Sequence, residues 1–287
     1  MKFHEGEVTV QQKAGVRAMA ERIGNSIHSQ IPDVAQHWLR EQRLAAATTV
    51  AGDGSVWVSL LTGEGGFLNP VDQSTLRIAV APSDELLQSN LATNAALGLI
   101  VLEPSMRKRM RLNGNARLEG SELLIHASQV YSNCPKYIQT RQVVEVEHGR
   151  IPTVQMGSAL LEGQRQMIER ADTFFIGSCY NGNADASHRG GNPGFVQIEN
   201  EMSLSWHEYS GNAMFNTLGN LQQNPQCGLL FVDWEYGRAV QLTGTAFLKH
   251  IGSEVSVGFQ LKRWRETENS SPLRWRLDEL SPFNPPV

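Results

Sequence analysis

The chain has 287 residues, and its 25 lysines and arginines against 29 aspartates and glutamates give a formal net charge of −4. Because the charge is mixed and only one short basic cluster occurs, nucleic acid is not an expected partner. No apolar run approaches the ~18 residues of a membrane span, and the N-terminus does not read as a signal peptide, so we expect a cytoplasmic protein with no membrane segment. The three cysteines are far apart, which predicts neither a metal site nor a disulfide framework and fits a reducing compartment.

Helices are predicted first along the chain, and short strands follow. Apolar residues at roughly helical spacing predict an N-terminal helical extension over residues 1–40. Leu44 to Val50 and Val56 to Leu61 then predict two strands joined by a tight turn. One short helix and several more strands follow, and the same order of elements returns from Thr173 onwards. Short strands with one intervening helix are typical of a small closed barrel of about six strands.

The second half of the chain repeats the first at a constant distance of 130 residues. Asn90, Gly98 and Gly114 return as Asn220, Gly228 and Gly244, respectively. Repeats of solenoid proteins are ~20–50 residues long, so this period is domain-sized. We therefore predict a first barrel domain over residues 41–150 and a second, with a C-terminal extension, over 151–287. Two similar domains in one chain usually pack about a pseudo-two-fold axis, and the junction between them is the first place to look for a site.

The halves differ in the segment that begins with Ser187. Half two has Ser187-His-Arg-Gly where half one has Ser59-Leu-Leu-Thr. A hydroxyl, an arginine and the backbone amides of a glycine-rich turn can together bind an anion such as phosphate. The alternative is a surface loop whose glycines only serve turns.

The halves also differ before the strand that contains Gly114. Half one has Arg107, Arg109 and Arg111, where half two has Gly237, Ala239 and Gln241. On a strand, three arginines at every second position lie on one face and repel each other unless an anion or carboxylates compensate. A solvated edge strand that is protected by charge is an equal alternative. Whether both cationic segments meet in one site is left open by the sequence.

The segment Asn133-Cys-Pro-Lys-Tyr has no counterpart in half two. Lys136 and Tyr137 are candidates for contacts with a substrate or a cofactor. Cys134 has a lysine nearby that could lower its pKa, although a structural cysteine is the more common case.

These segments resemble the pyridoxamine 5′-phosphate oxidase-like, FMN-binding split-barrel proteins, and among them a two-barrel subgroup. The resemblance spans about residues 3 to 250. It depends on Phe3-His-Glu-Gly-Glu, Arg107-Lys-Arg-Met-Arg-Leu-Asn-Gly and Asn133-Cys-Pro-Lys-Tyr-Ile in half one. In half two it depends on Ser187-His-Arg-Gly-Gly-Asn-Pro-Gly-Phe and Gly211-Asn-Ala-Met-Phe-Asn-Thr-Leu-Gly-Asn-Leu.

The resemblance implies a mainly β protein with peripheral helices, built from tandem six-stranded split β-barrels that form a pseudo-dimer. It also implies FMN in a groove between the barrels. Cofactor contacts carried over by motif are Ser187, His188, Arg189, Gly190, Asn212, Asn216 and Asn220, and the candidates from the residue comparison are Arg107, Arg109 and Arg111.

The implied activity is that of an FMN-dependent oxidoreductase acting on a small molecule, with NAD(P)H or a separate reductase as electron donor. No residue stands out as a general acid or base. The alternative is a flavin- or haem-binding carrier or sensor without turnover. A further homodimer of the fused chain is left open. The repeat allows two FMN per chain, and the asymmetry of the halves favours one.

Overall fold

The computed structural model describes residues 2–79, 84–132, 134–251 and 254–287. Three helices come first: α1 (Glu5–Lys13), α2 (Arg17–Ile23) and α3 (Asp33–Glu41). The elements of the first half are β1 (Leu44–Val50), β2 (Val56–Thr62), β3 (Leu68–Pro70), β4 (Thr75–Ala79), α4 (Glu85–Thr93), β5 (Ala96–Glu103), β6 (Lys108–Glu119) and β7 (Glu122–Ser132). Two connecting strands follow, β8 (Thr140–Val146) and β9 (Thr153–Gly157).

The elements of the second half are α5 (Glu162–Arg170), β10 (Thr173–Tyr180), β11 (Asn183–Gly190), β12 (Val196–Asn200), β13 (Ser203–His207), α6 (Asn216–Gln223), β14 (Gln226–Val232), β15 (Ala239–Ile251), β16 (Glu254–Glu268) and β17 (Leu273–Glu279). None of the helices in the described ranges is both long and apolar enough to cross a bilayer.

The two halves have the same sheet topology. The strand order is β2-β1-β5-β6-β7-β4-β3 in the first and β11-β10-β14-β15-β16-β13-β12 in the second, and β9 adds to β16. Phe195, just before β12, stacks on Phe174 of β10 at 5.7 Å between ring centroids, so β12 at one end of this order shares a core with β10 near the other end. The predicted fold class of tandem barrels is confirmed. The first sheet has seven strands and the second has eight where six were expected, since the short β3 and β12 also pair and β9 joins the second sheet.

The glycines that the halves share are positions of close packing. A Cβ at Gly98 of β5 would overlap the backbone of Asp185 in β11, and one at Gly228 of β14 would overlap the carbonyl of Val56 in β2. The same contact therefore occurs twice, as a pseudo-two-fold axis requires. Gly114 and Gly244 lie at matching register shifts, where a β-bulge leaves no room for a side chain.

A shared apolar core joins the two barrels. It includes Leu44 and Ile100 from half one, Phe175 and Leu230 from half two, and Trp275 from β17. Burying such side chains contributes roughly 1.5–3 kcal/mol each. Because this core fixes β6 of one half beside β11 of the other, their polar side chains face a common space.

Both ends of the chain cross between the halves. β8 pairs with β17 of the C-terminal extension. Helix α1 packs on α6, where Gly6 and Gly219 lie so close that a Cβ on either would overlap the other helix. The expected domain boundary at 150/151 falls between β8 and β9, and the N-terminal helical extension contacts the second half.

Candidate functional site

A pocket at the junction of the barrels collects most of the predicted site residues. Its enclosed volume is about 100 Å³. The side chains that line it include Arg109, Arg111, Cys134, Lys136 and Tyr137 from half one, and Ser187, His188, Arg189, Gly190, Glu208, Tyr209, Asn212 and Asn216 from half two. We call it the cationic pocket. The sequence left open whether the cationic segments of the two halves meet, and in the structure both line this pocket.

Ser187 to Gly190 form the end of strand β11. The register pairs Phe175 with His188, so this segment is strand, and the prediction of a glycine-rich turn is wrong here. The turn itself begins at Gly191, whose amide donates to the carbonyl of Asp172 at 3.0 Å; the amide of Gly194 donates to Glu169 at 2.8 Å. These two amides are therefore satisfied within the protein. The polar groups that β11 offers to an anion are side chains.

Arg109 and His188 form a buried pair across the junction. Arg109 Nη1 lies 3.1 Å from His188 Nδ1. Because a guanidinium can only donate, Nδ1 accepts and the proton of the neutral ring is on Nε2. Burial, followed by the nearby arginines, lowers the pKa of His188 well below its usual value, and burial with Arg111 and Arg189 lowers the pKa of Arg109 to about 9. Arg109 Nε and His188 Nε2 are buried, and neither has a hydrogen-bond partner within the described ranges.

Arg111 is compensated by a buried carboxylate. Its Nη1 lies 3.6 Å from Asp185 Oδ2 and donates to the Tyr131 hydroxyl at 3.1 Å. That hydroxyl and the amide of Asn113 both donate to Asp185 Oδ1, at 3.2 and 3.0 Å. Burial alone would lower the pKa of Arg111, but Asp185 and Tyr131 outweigh it and raise that pKa above its usual value. This network fixes a permanent positive charge at the wall of the pocket.

Arg189 is held by Glu208, an acidic residue that follows β13. Its Nε donates to Glu208 Oε1 at 2.7 Å, and its Nη1 donates to Ser187 Oγ at 2.8 Å. The same Glu208 oxygen accepts from the indole of Trp206 at 2.9 Å. The arginine and the serine predicted to act together are thus in direct contact.

Arg107 does not belong to this group. It precedes β6 with a left-handed φ of 50°, so it does not continue the alternation of Arg109 and Arg111. Its guanidinium donates to the carbonyl of Ile138 at 3.0 Å and to Glu279 at 2.8 Å. The expectation that all three arginines share one face is wrong for Arg107, because the chain turns there.

Lys136 and Tyr137 lie at the rim of the pocket. The Tyr137 hydroxyl donates to the carbonyl of Ser210 at 2.9 Å, and its ring is 5.2 Å from that of Tyr209. Lys136 Nζ lies 5.9 Å from the ring of Phe283. A Cβ at Gly190 would overlap the Tyr137 carbonyl oxygen, so Gly190 allows this segment of half one to lie against β11.

The three asparagines of half two have different places. Asn212 Oδ1 accepts from the Met214 amide at 3.2 Å at the edge of the pocket. Asn216 lines the pocket as the first residue of α6. Asn220 is on the same helix but contacts Ser178 Oγ at 2.9 Å and His4 Nε2 at 3.0 Å, away from the pocket lining. Asn90 of half one contacts Thr49 Oγ1 in the same way, so this asparagine braces both barrels.

Sequence reasoning missed four polar residues around the site: Glu7, Asp185, Glu208 and Tyr209. Asp185 could have been found, since it alternates with Ser187 and Arg189 on one strand. Glu208 and Tyr209 follow β13 with no motif that marks them. Glu7 reaches the site only because α1 crosses to the second half.

The sequence matches no family model and no curated protein. Parts of the chain are similar to solved structures. A proposed pyridoxamine 5′-phosphate oxidase from Lactobacillus delbrueckii is 13% identical, with a TM-score of 0.31 over 37% of this chain and 93% of its own. HupZ of Group A Streptococcus is 16% identical, with a TM-score of 0.30 over 36% and 94%. An FAD-binding protein of Mesorhizobium loti is 10% identical, with a TM-score of 0.30 over 39% and 97%.

At these levels of identity and TM-score, the similarities carry no argument about function. The fold and the site define the chain as a tandem-barrel protein with a cationic pocket at the junction of its halves. Any function has to be argued from the side chains of that pocket.

Proposed function

We propose that the cationic pocket binds the phosphate-bearing end of FMN. The observation that carries this proposal is the meeting of Arg109, Arg111 and Arg189 in one buried place. Asp185 and Glu208 offset two of these charges. Burying a further cation without a counter-charge is costly, so an anionic ligand would stabilise the arrangement.

The donor set fits such a ligand. Arg109 Nε and His188 Nε2 are buried donors without a partner among the residues described, and unsatisfied donors of this kind usually mark a missing group. Arginine is well suited to phosphate because it can donate two parallel hydrogen bonds. The enclosed volume of about 100 Å³ holds a phosphate group but falls below the ~300–1,000 Å³ of pockets that surround drug-sized ligands. The ring system would therefore lie in the open part of the cleft.

The protein residues would bind and orient the cofactor. FMN, when bound, supplies hydride or electron transfer through its ring. Arg109, held by His188, and Arg189, held by Glu208, present positive charge in fixed positions. The rings of Tyr137 and Tyr209 offer an apolar surface at the rim. His188 is not suited to proton transfer, since its accepting nitrogen is occupied by Arg109 and its pKa is lowered well below neutrality by burial.

We further propose that the protein is an oxidoreductase that acts on a small molecule, with NAD(P)H or a separate reductase as electron donor. The purified protein is titrated with FMN, monitored by flavin fluorescence, and NADPH is then added under anaerobic conditions. Saturable binding of one FMN per chain followed by bleaching supports the proposal. Binding without bleaching by NADPH or by a reductase indicates a carrier, and protein that binds no FMN refutes the flavin hypothesis.

Substitution of Arg189 tests the pocket itself. Arg189→Ala should weaken FMN binding by at least about 1–2 kcal/mol, the scale of a lost charge-assisted hydrogen bond. Arg107→Ala is the matched control, because Arg107 was also a predicted cofactor contact but its guanidinium donates to the Ile138 carbonyl, outside the pocket lining. Equal FMN affinity in both variants would show that Arg189 does not contribute to the binding site.

A further inference from the structure

Glu7 of helix α1 is a buried carboxylate next to the cationic pocket. Only 5% of its surface is exposed. Its Oε1 accepts from Asn216 Nδ2 at 2.6 Å, and its Oε2 accepts from the backbone amide of His4 at 2.8 Å. It lies there because α1 packs on α6 through Gly6 and Gly219.

Asn216 connects this carboxylate to the pocket. It is the first residue of α6 and lines both the cationic pocket and a neighbouring cavity of about 180 Å³ that also contains Glu7. One end of its side-chain amide is committed to Glu7. The other end, Oδ1, is buried and makes no hydrogen bond to any residue that the structure describes. In half one this position is Leu86, so the polar connection occurs once per chain.

Several charged or titratable groups face Glu7. His4 of α1 lies 3.6 Å away, and its own pKa is lowered by burial. Asp185 of β11, Arg111 of β6 and Tyr131 of β7 act on it through the buried network, and Lys2 lines the neighbouring cavity of about 180 Å³. Burial is the largest influence and, with Asp185, raises the pKa of Glu7 to about 7, while hydrogen bonds from His4 and Asn216 and the charge of Arg111 oppose it.

We infer that Glu7 is a positioning residue that sets the orientation of the Asn216 amide at the cationic pocket according to its own protonation. The ionised carboxylate accepts from the amide nitrogen, so the oxygen is the free end. A protonated Glu7 can donate to that oxygen instead, which turns the amide and frees its two N–H donors. Protonation also removes a negative charge beside the arginines. Both changes favour an anion in the pocket, so ligand binding and protonation of Glu7 are coupled.

This inference rests on the proposed FMN site, and the first measurement is the affinity for FMN at pH 6 and pH 8. The ratio of Kd at pH 8 to Kd at pH 6 is compared between variants, so that titration of the FMN phosphate itself cancels. We expect the ratio to be about fivefold larger in the wild type than in Glu7→Gln, a typical coupling between two sites. Glu5→Gln is the matched control, since Glu5 is exposed in the first turn of the same helix and should keep the wild-type ratio.

The action through Asn216 is tested by a double-mutant cycle. Asn216→Ala should reduce the ratio as Glu7→Gln does, and the double variant should show no further reduction. Equal ratios in the wild type and in Glu7→Gln, or additive effects in the double variant, would overturn the inference. If Glu7→Gln does not fold, the test is the ratio of Kd at pH 8 to Kd at pH 6 in Asn216→Ala, and a ratio equal to that of the wild type would overturn the inference.

A second measurement does not need FMN. The side-chain amide signals of Asn216, identified in nuclear magnetic resonance spectra by their loss in Asn216→Ala, should move between pH 6 and pH 8 in the wild type and in Glu5→Gln. They should stay in place in Glu7→Gln, and movement there would contradict the inference. A wild type with moving signals but no FMN binding would refute the proposed cofactor and leave the Glu7–Asn216 coupling standing.

Discussion

The cationic pocket and its pseudo-symmetric counterpart occupy the same place in the two barrels and differ in charge. The counterpart, which we call the second pocket, lies between β2 and β15, and its lining includes Ser59, Leu61, Asp84, Gln241 and Arg265. Where the cationic pocket has Arg109, Arg111, His188 and Arg189, the second pocket has Ala239, Gln241, Leu60 and Leu61.

The polar groups of the second pocket satisfy each other. Arg265 Nη1 donates to Gln241 Oε1 at 2.9 Å and to Thr267 Oγ1 at 3.0 Å, and Gln241 donates to the carbonyl of Val58 at 2.9 Å. Leu61 has joined the core of half one. The duplicated barrel therefore supplies the position of a pocket, and a few side chains decide whether it attracts an anion. Under the proposed function, this difference favours one FMN per chain.

Arg111→Gln should have the largest effect on stability. It places in the cationic pocket the residue that the second pocket has at the equivalent position. It leaves Asp185 buried without its cation, and breaking a buried ion pair costs about 3–5 kcal/mol. Urea unfolding should show this loss in the free energy of unfolding. Gln241 is tolerated at the equivalent place because Trp57, not an acid, is the counterpart of Asp185. Arg111→Gln combined with Asp185→Asn should recover part of the stability, and a single variant as stable as the wild type would show that the pair is not needed.

Glu7 should make the stability of the protein depend on pH. Because its folded pKa of about 7 lies above its usual value of 4.5, its contribution is fully present below pH 4.5 and is lost as the pH rises through about 7. Relative to Glu7→Gln, the wild type should lose about 2–3 kcal/mol of unfolding free energy between pH 5 and pH 8. Denaturant unfolding at both pH values measures this. A pH-independent difference between the two proteins would mean that Glu7 has an ordinary pKa.

The asparagines that brace the barrels provide a matched pair. Asn220→Ala removes contacts with Ser178 and His4, whereas Asn90→Ala removes a contact with Thr49. At about 1 kcal/mol for each hydrogen bond, the first should cost about 2 and the second about 1 kcal/mol. Thermal unfolding distinguishes them. The reverse order would show that the contact with the N-terminal segment contributes little.

Tyr137→Phe should have the smallest effect. It removes the hydrogen bond to Ser210, a partly exposed contact worth about 1 kcal/mol or less, and it keeps the ring that faces Tyr209. FMN affinity should fall less than in Arg189→Ala. A larger loss than in that variant would place the hydroxyl, rather than the arginine, at the centre of binding.

The parts of the fold that the sequence predicted are those with local signals. The strand β1 begins and ends as predicted and β10 begins at the predicted Thr173, because each is a short, mostly apolar run followed by turn residues. The crossing pair β8 and β17 was not predicted, since its pairing joins distant segments. The long strand β16 was also missed, although it forms a hairpin with the preceding β15.

The sequence predicted the arginines of the cationic pocket but not the acidic residues that lie beside them. Comparing the halves identified Arg109 and Arg189, because each is absent from the other half. It could not identify Glu208 or Glu7, whose roles depend on which elements the fold brings together. Arg107 was misplaced because a single left-handed residue ends the alternation that the sequence suggests.

The crossing of the chain ends has a consequence for how the molecule forms. Glu7 and Asn216 are separated by 209 positions, so α1 leaves the ribosome long before the helix it covers exists. Contacts of such long sequence separation form late and slow folding. Until then Val10 of α1 and Phe3, which precedes that helix, remain without their native cover. We therefore expect a chain cut at residue 150 to yield two aggregation-prone fragments rather than two independent barrels.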